Sequence, residues 1–184
     1  IVKDHLNTSF GYGKHFIGDG VESLFLGDGS SSYPFLELNT RIWKFQYRSL
    51  FMRLTPQFKN RNGELPHKFT AMHHLSLNVT RWLNMGFFEA VISGHPDDYD
   101  IGYMNPIIYY RAIEQSNGSP DNELVGYNFK IIAARHLQFY GQALLDEFHA
   151  KDFFSDKGSW ANKWGVQLGG KYFDALSIKN LDLQ

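Results

Sequence analysis

Residues 159–173 read SWANKWGVQLGGKYF. Every second residue from Trp160 gives Trp160, Asn162, Trp164, Val166, Leu168, Gly170 and Tyr172. The alternate set is Ala161, Lys163, Gly165, Gln167, Gly169, Lys171 and Phe173. The first set is mostly large and apolar; the second is small, polar or cationic. A strand sends alternate side chains to opposite faces, so this is a strand with one apolar face and one wet face. Aromatics stand near both ends of the apolar set, with aliphatics between them. A strand crossing an outer membrane has that pattern: roughly 9–11 tilted residues span the hydrocarbon, and aromatic girdles mark the interfaces. A half-buried strand of a soluble sandwich alternates in the same way, so this stretch alone leaves both architectures open.

The alternation recurs. Leu6, Thr8, Phe10 and Tyr12 share one side of residues 4–12. Leu36, Leu38 and Ile42 oppose Glu37, Asn39 and Arg41, whereas Leu50, Met52 and Leu54 oppose Ser49, Phe51 and Arg53 less cleanly. Ala71, His73, Leu75 and Leu77 oppose His74, Ser76 and Asn78, and after a very short connection Phe88, Ala90 and Ile92 oppose Glu89, Val91 and Ser93, which reads as a hairpin. Val125, Tyr127, Phe129 and Ile131 then oppose Asn128 and Lys130, and Leu137, Phe139, Ala143 and Leu145 oppose Gln138, Gln142 and Asp146. Leu181 and Leu183 share a face in residues 180–184, which read as a further strand. About nine strands of ordinary length follow, with no alternating helices. The polar side comprises Glu37, Arg41, Asn78, Glu89, Asn128, Lys130, Gln138, Gln142, Lys163, Gln167 and Lys171. It is the solvated outside of a sandwich, or the lumen of a barrel. Residues 95–123 lose the rhythm. The apolar run of residues 104–115, with Pro106 near its start, predicts a short helix, and Asn117 to Asn122 are turn residues.

At 184 residues the chain makes one domain or part of one. No run approaches the roughly 18 apolar residues of a spanning helix. Aromatic content is 16%, which suits strands and membrane interfaces. The formal charge of −1 argues against binding nucleic acid by phosphate neutralisation. The absence of cysteine removes disulfide frameworks and thiolate chemistry. The opening and closing residues read as those of a fragment, truncated at both ends.

Several groupings invite chemistry. Gly11, Gly13, Gly18 and Gly20 crowd one segment, but neither a phosphate-loop pattern nor a dinucleotide fingerprint is present. His73 and His74 are adjacent, so a strand points them to opposite faces and prevents joint ligation of one metal. Asp97, Asp98 and Asp100 supply hard oxygen ligands without the EF-hand pattern; a solvated acidic loop is the plainer reading. Asp146 and Glu147 split across two faces, and a glycosidase pair depends on a spatial separation that sequence does not show. Tryptophan and tyrosine beside carboxylates and amides suit carbohydrate, whose faces stack on rings and whose hydroxyls need planar polar partners.

The run Gly11-Tyr12-Gly13-Lys14-His15-Phe16-Ile17-Gly18-Asp19-Gly20, with Ser23-Leu24-Phe25-Leu26 and Tyr33-Pro34-Phe35-Leu36, resembles the opening barrel motif of the capsule-assembly Wzi family. The closer likeness is to the RemB-like gliding-motility branch in Bacteroidetes. Tyr103-Met104-Asn105-Pro106-Ile107-Ile108, Ser119-Pro120-Asp121-Asn122, Asp146-Glu147-Phe148, Asn162-Lys163-Trp164-Gly165 and Lys179-Asn180-Leu181-Asp182-Leu183-Gln184 resemble the same group. The likeness spans nearly the whole chain. Gly27 departs from it, standing where a serine is expected before Asp28. The resemblance implies an all-β, antiparallel outer-membrane barrel of about eighteen strands, a number within the known range, of which residues 1–184 form one partial domain of about half. It implies a non-enzymatic role in attaching or displaying capsular or extracellular polysaccharide, with surface gliding in the RemB-like branch. The partners would be that polysaccharide, outer-membrane lipid and other surface or gliding proteins. A soluble or surface-associated β-sheet carbohydrate hydrolase with paired carboxylates is the competing reading.

Three expectations follow. Leu36, Leu38, Leu75, Leu77, Phe129, Ile131, Trp164, Val166 and Leu168 share the outer face, and Glu37, Arg41, Asn78, Lys130, Lys163 and Lys171 share the inner one. Residues 104–122 form no membrane-crossing strand pair and pack in or across the barrel mouth. Glycan is held without metal, cofactor or covalent centre by Lys14, His15 and Asp19 of the glycine-rich segment, by Tyr103 and Asn105, and by Asp121 and Asn122. The competing reading of these seven residues is that they hold the loop and plug in place.

Overall fold

A computed structural model describes residues 5–56, 58–59, 61–93, 122–146 and 163–184. It is all-β: one antiparallel sheet of eight strands in the order β1 to β8, each pairing with its neighbour in sequence. The strands are β1 (Leu6–Gly13), β2 (Tyr33–Ile42), β3 (Phe45–Leu54), β4 (Lys68–Asn78), β5 (Leu83–Ile92), β6 (Asn122–Ala134), β7 (Leu137–Asp146) and β8 (Lys163–Tyr172). β2 to β8 run 10 to 13 residues each, about twice the usual five or six. No helix among the described residues is long and apolar enough to cross a membrane. The helix expected in residues 104–115 and the acidic loop at 97–100 lie outside the described residues.

The connections differ sharply between the two ends of the sheet. Trp43–Lys44, residues 79–82 and Arg135–His136 close three tight turns at one end. Residues 14–32, 55–67, 93–121 and 147–162 all leave from the other end. Trp43 turns with a φ of 53°, a left-handed conformation that costs a bulky residue energy.

Register fixes which residues share a face. Leu36 pairs with Phe51, Phe51 with Ala71, and Ala71 with Val91. Leu77 pairs with Phe45 and Met85, Met85 with Phe129, Phe129 with Gly141, and Gly141 with Leu168. All nine residues expected on the outer face lie on this side. Glu37, Arg41, Asn78, Lys130, Lys163 and Lys171 lie on the opposite, inner side, which residues 14–32 cover.

Glu89 departs from expectation. It pairs with His73, which pairs with Ser49, so all three form a row on the outer face, 4%, 0% and 1% exposed. The Tyr47 hydroxyl and His73 Nδ1 lie 2.8 Å apart on the same side. Phe88 and Ala90 do oppose Glu89, but it is they that point inward, and they are fully buried. Leu50 and Met52 do the same on β3. Both strands carry apolar side chains on both faces, so alternation alone could not orient them.

The core lies between the inner face and residues 14–32. Ile17 and Phe25 from that segment join Tyr33, Leu50, Met52, Met72, Phe88 and Ala90. The Phe25 and Phe88 rings stack at 4.5 Å, 1° from parallel. By contrast, much of the outer face is open: Phe10 is 82% exposed, Trp164 72%, Leu168 71% and Val166 57%.

The strand expected at residues 180–184 reduces to one bridge. Leu183 exchanges backbone hydrogen bonds with Tyr172. Before it the chain doubles back through a 3₁₀ turn, Ala175–Ser177. Asp174 is the hub of this turn: its carboxylate accepts from the Asn180 N–H, and its own N–H donates to Asp182.

Candidate functional site

Residues 14–32 act as a strap across the inner face. An antiparallel bridge between Ile17 and Leu26 closes the strap on itself, and the Ser23 hydroxyl donates to the Ile17 carbonyl. The apolar strap residues Ile17, Leu24, Phe25 and Leu26 sit on the half of the sheet toward the long connections. A Cβ at Gly126 would run into the Phe25 ring, so only glycine lets that ring lie flat on the sheet.

Polar side chains clasp the strap elsewhere. Gln142 on β7 accepts from the Leu24 N–H at 2.8 Å and donates to the Ile17 carbonyl at 3.2 Å. Gln167 on β8 donates to the Glu22 carbonyl at 3.0 Å. Lys130 on β6 pairs with Asp19 at 2.8 Å. Arg48 on β3 pairs with Glu37 at 2.8 Å and reaches the Phe16 carbonyl at 3.4 Å.

Toward the tight turns, the inner face becomes mostly polar, Ile132 excepted, and the strap stops short of filling it. A cleft of about 200 Å³ remains between Phe16, Gly18 and Asp19 of the strap and Gln46, Arg48, His74, Ser76, Asn84, Asn128 and Lys130 of the sheet. The cleft floor is internally bonded: His74 Nε2 to Asn128 at 2.9 Å, and Asn84 to Ser76 and Asn78 at 2.9 and 2.8 Å. Gln46 also lines a second hollow of about 450 Å³ with His5, Asn7, Asn39 and Arg41. Amides and hydroxyls both donate and accept, and guanidinium groups donate in a planar fork. Such a trough suits a ligand rich in hydroxyls.

The seven residues singled out from sequence do not converge. Asp19 lines the cleft, already paired with Lys130. Lys14 donates to the Asp28 carbonyl and serves the strap's own turn. The His15 ring is edge-on to Phe35 at 4.2 Å, and the His15 backbone N–H donates to the Tyr33 hydroxyl. Asn122 begins β6 opposite Ile92, six residues from Asn128, or about 20 Å along a strand. Tyr103, Asn105 and Asp121 lie outside the described residues. The exposed aromatic rings are also displaced from the expected sugar platform: Tyr12 and Trp164 are on the outer face, and Trp43 and Trp82 are in the turns. Sequence reasoning named Asn78, Asn128 and Gln142 as inward but missed Gln46, Arg48, His74, Ser76 and Asn84 as a site. Their common parity on β3, β4 and β5 was the available signal. Among the described residues no three histidine or carboxylate side chains gather as metal ligands.

Burial pushes the His15 pKa down, and the nearby Arg48 guanidinium adds to this; Glu37, 3.9 Å away, opposes both without prevailing. The folded-state value thus lies below the unfolded value of about 6.5, so the unfolded chain protonates first on acidification. The stability contributed by neutral His15 is complete above that value and is lost as pH falls through the lowered one. A urea midpoint measured at about pH 7.5 and again at about pH 5 should drop in the wild type and drop less in His15→Gln.

Comparison of the chain with family models, with curated proteins and with solved structures finds no match.

Proposed function

We propose that the chain is part of a Wzi-like outer-membrane β-barrel that holds capsular or extracellular polysaccharide without enzymatic activity. The observation that carries this reading is the polarity of the two faces on strands of membrane-crossing length. Apolar side chains such as Phe10, Trp164, Val166 and Leu168 stand open on the outer face, while the inner face carries Arg41, Arg48, Asn84, Asn128 and Lys130. A water-soluble sheet would bury the first set. A barrel in lipid exposes it and keeps the polar set in the lumen. The tight turns at one end and long connections at the other match periplasmic and extracellular ends respectively. Closure needs strands beyond β1 and β8, which the resemblance supplies. In the RemB-like branch the displayed polymer would serve gliding.

Polysaccharide would lie along the trough from Arg41 to Lys130. The inner carboxylates nearest it, Asp19 and Glu37, each hold a cation, an arrangement suited to fastening the strap rather than to general-acid work. Asn84→Ala removes the central amide and should lower retention of surface polysaccharide about five- to tenfold, the scale of one or two hydrogen bonds. Heat-dependent gel mobility would confirm that the variant still assembles. Wild-type retention by folded Asn84→Ala would move the glycan site out of the trough, and a wild-type chain found outside the membrane fraction would end the barrel reading.

A further inference from the structure

At the long-connection end of the outer face, Phe10, Pro34, Leu36, Phe51 and Phe69 wall a groove of about 270 Å³. Phe51 is buried within it, whereas Phe10 is open to the outside. The one charged residue lining the groove is Arg53. Arg53 is exposed and forms no ion pair among the described residues. The connection that follows β3 adds the exposed cations Lys59 and Arg61 against one acid, Glu64. Phe58 in the same connection is 77% exposed.

We propose that this groove is a lipid site: one acyl chain lies in the slot, and the phosphate of the same lipid's headgroup sits on Arg53. The inference rests on the outer-membrane reading. Arg53 is the penultimate residue of β3, at the strand end where hydrocarbon gives way to headgroups and a cation on the outer face is tolerated. A guanidinium offers a planar fork that fits phosphate with two parallel bonds. Lys59 and Arg61 of the adjoining connection raise the local potential for an anionic headgroup. A slot on a lipid-exposed face would otherwise lose its van der Waals contacts, so a chain fixed there by its phosphate is both filled and specified.

The test uses the chain purified in a maltoside detergent, with folding read by heat-dependent gel mobility. Retention of dimyristoyl phosphatidic acid is measured by native mass spectrometry beside dimyristoylglycerol, which has the same chains and no phosphate. The folded wild type should retain the phosphatidic acid about tenfold better, the fold-change expected of a charge-assisted contact. Arg53→Gln should erase that margin and Arg53→Lys should keep part of it. Leu36→Trp, which fills the slot, should lower retention of both lipids. Equal retention of the two lipids by folded wild type, an undiminished margin in folded Arg53→Gln, or displacement of the phosphatidic acid by inorganic phosphate alone would overturn the site and leave the barrel standing. A wild-type chain that needs no detergent and shows no heat-dependent mobility would overturn the barrel itself, and the lipid site with it.

Discussion

If the outer-membrane reading proposed above holds, Val166→Arg should block assembly into the membrane, whereas Gln167→Arg one residue along should leave it nearly intact. Val166 sits near the middle of β8 on the outer face, 57% exposed, between Trp164 and Leu168. An arginine at the midplane of a lipid-facing row costs about 2–4 kcal/mol, a large share of the stability of a typical domain. Gln167 points the other way, where its amide already donates to the Glu22 carbonyl. A longer cationic donor there still meets the Glu22 backbone oxygen on the inner face. The measurement is the fraction of each variant that reaches the membrane and migrates as the compact, heat-sensitive species. Equal tolerance at the two positions would remove the membrane reading altogether.

Phe25→Ala should release the strap. Phe25 is 6% exposed, stacks on Phe88 and lies over Gly126, so truncation leaves a void that neighbouring rigid strands cannot close. Losses of about 3–5 kcal/mol accompany such deletions in packed cores. The loss falls mainly on residues 14–32, because the sheet keeps its own ladder of hydrogen bonds. Limited proteolysis should therefore cut the variant within residues 14–32 while β2 to β7 stay protected. Protection of the strap at wild-type level would show that the clasps from Gln142, Gln167 and Lys130 suffice without the ring.

Much of the fold was legible before any coordinates. Where one face is apolar and the other small or polar, as in residues 163–172, period two assigned the side chains correctly. It put Glu89 of β5 on the wrong face and left β3 unassigned, because Phe88 with Ala90 and Leu50 with Met52 make the other face of each strand apolar too. Those residues are buried by the strap, a non-local partner that no periodicity reports. The site was less readable for the same reason. The glycine-rich segment pointed to Asp19 through its own sequence, but Arg48, His74, Ser76 and Asn84 become one surface only after three strands pair in register. His15 and Lys14, singled out as ligand donors, stand apart from the cleft and have partners of their own, Lys14 at the Asp28 carbonyl and His15 at Tyr33 and Phe35. The strand expected at residues 180–184 loses its first residue to local chemistry: Asn180 takes left-handed backbone, which a continuous strand excludes, after Asp174, Leu176 and Ser177 have done the same in the preceding turn.

The placement of the tight turns also carries a kinetic consequence. β2 with β3, β4 with β5, and β6 with β7 are each joined by a tight turn, so each pair closes a very small loop. The entropy of closing a loop grows with its length, and short-range pairs form first. Isolated hairpins form on a scale of about 1–10 μs. The remaining pairings, β1 with β2, β3 with β4, β5 with β6 and β7 with β8, must each wait for a long connection to be drawn in. The sheet would therefore be assembled from three prefabricated hairpins added side by side. The strap, whose contacts reach from β2 to β8, could dock only after the last of them was in place.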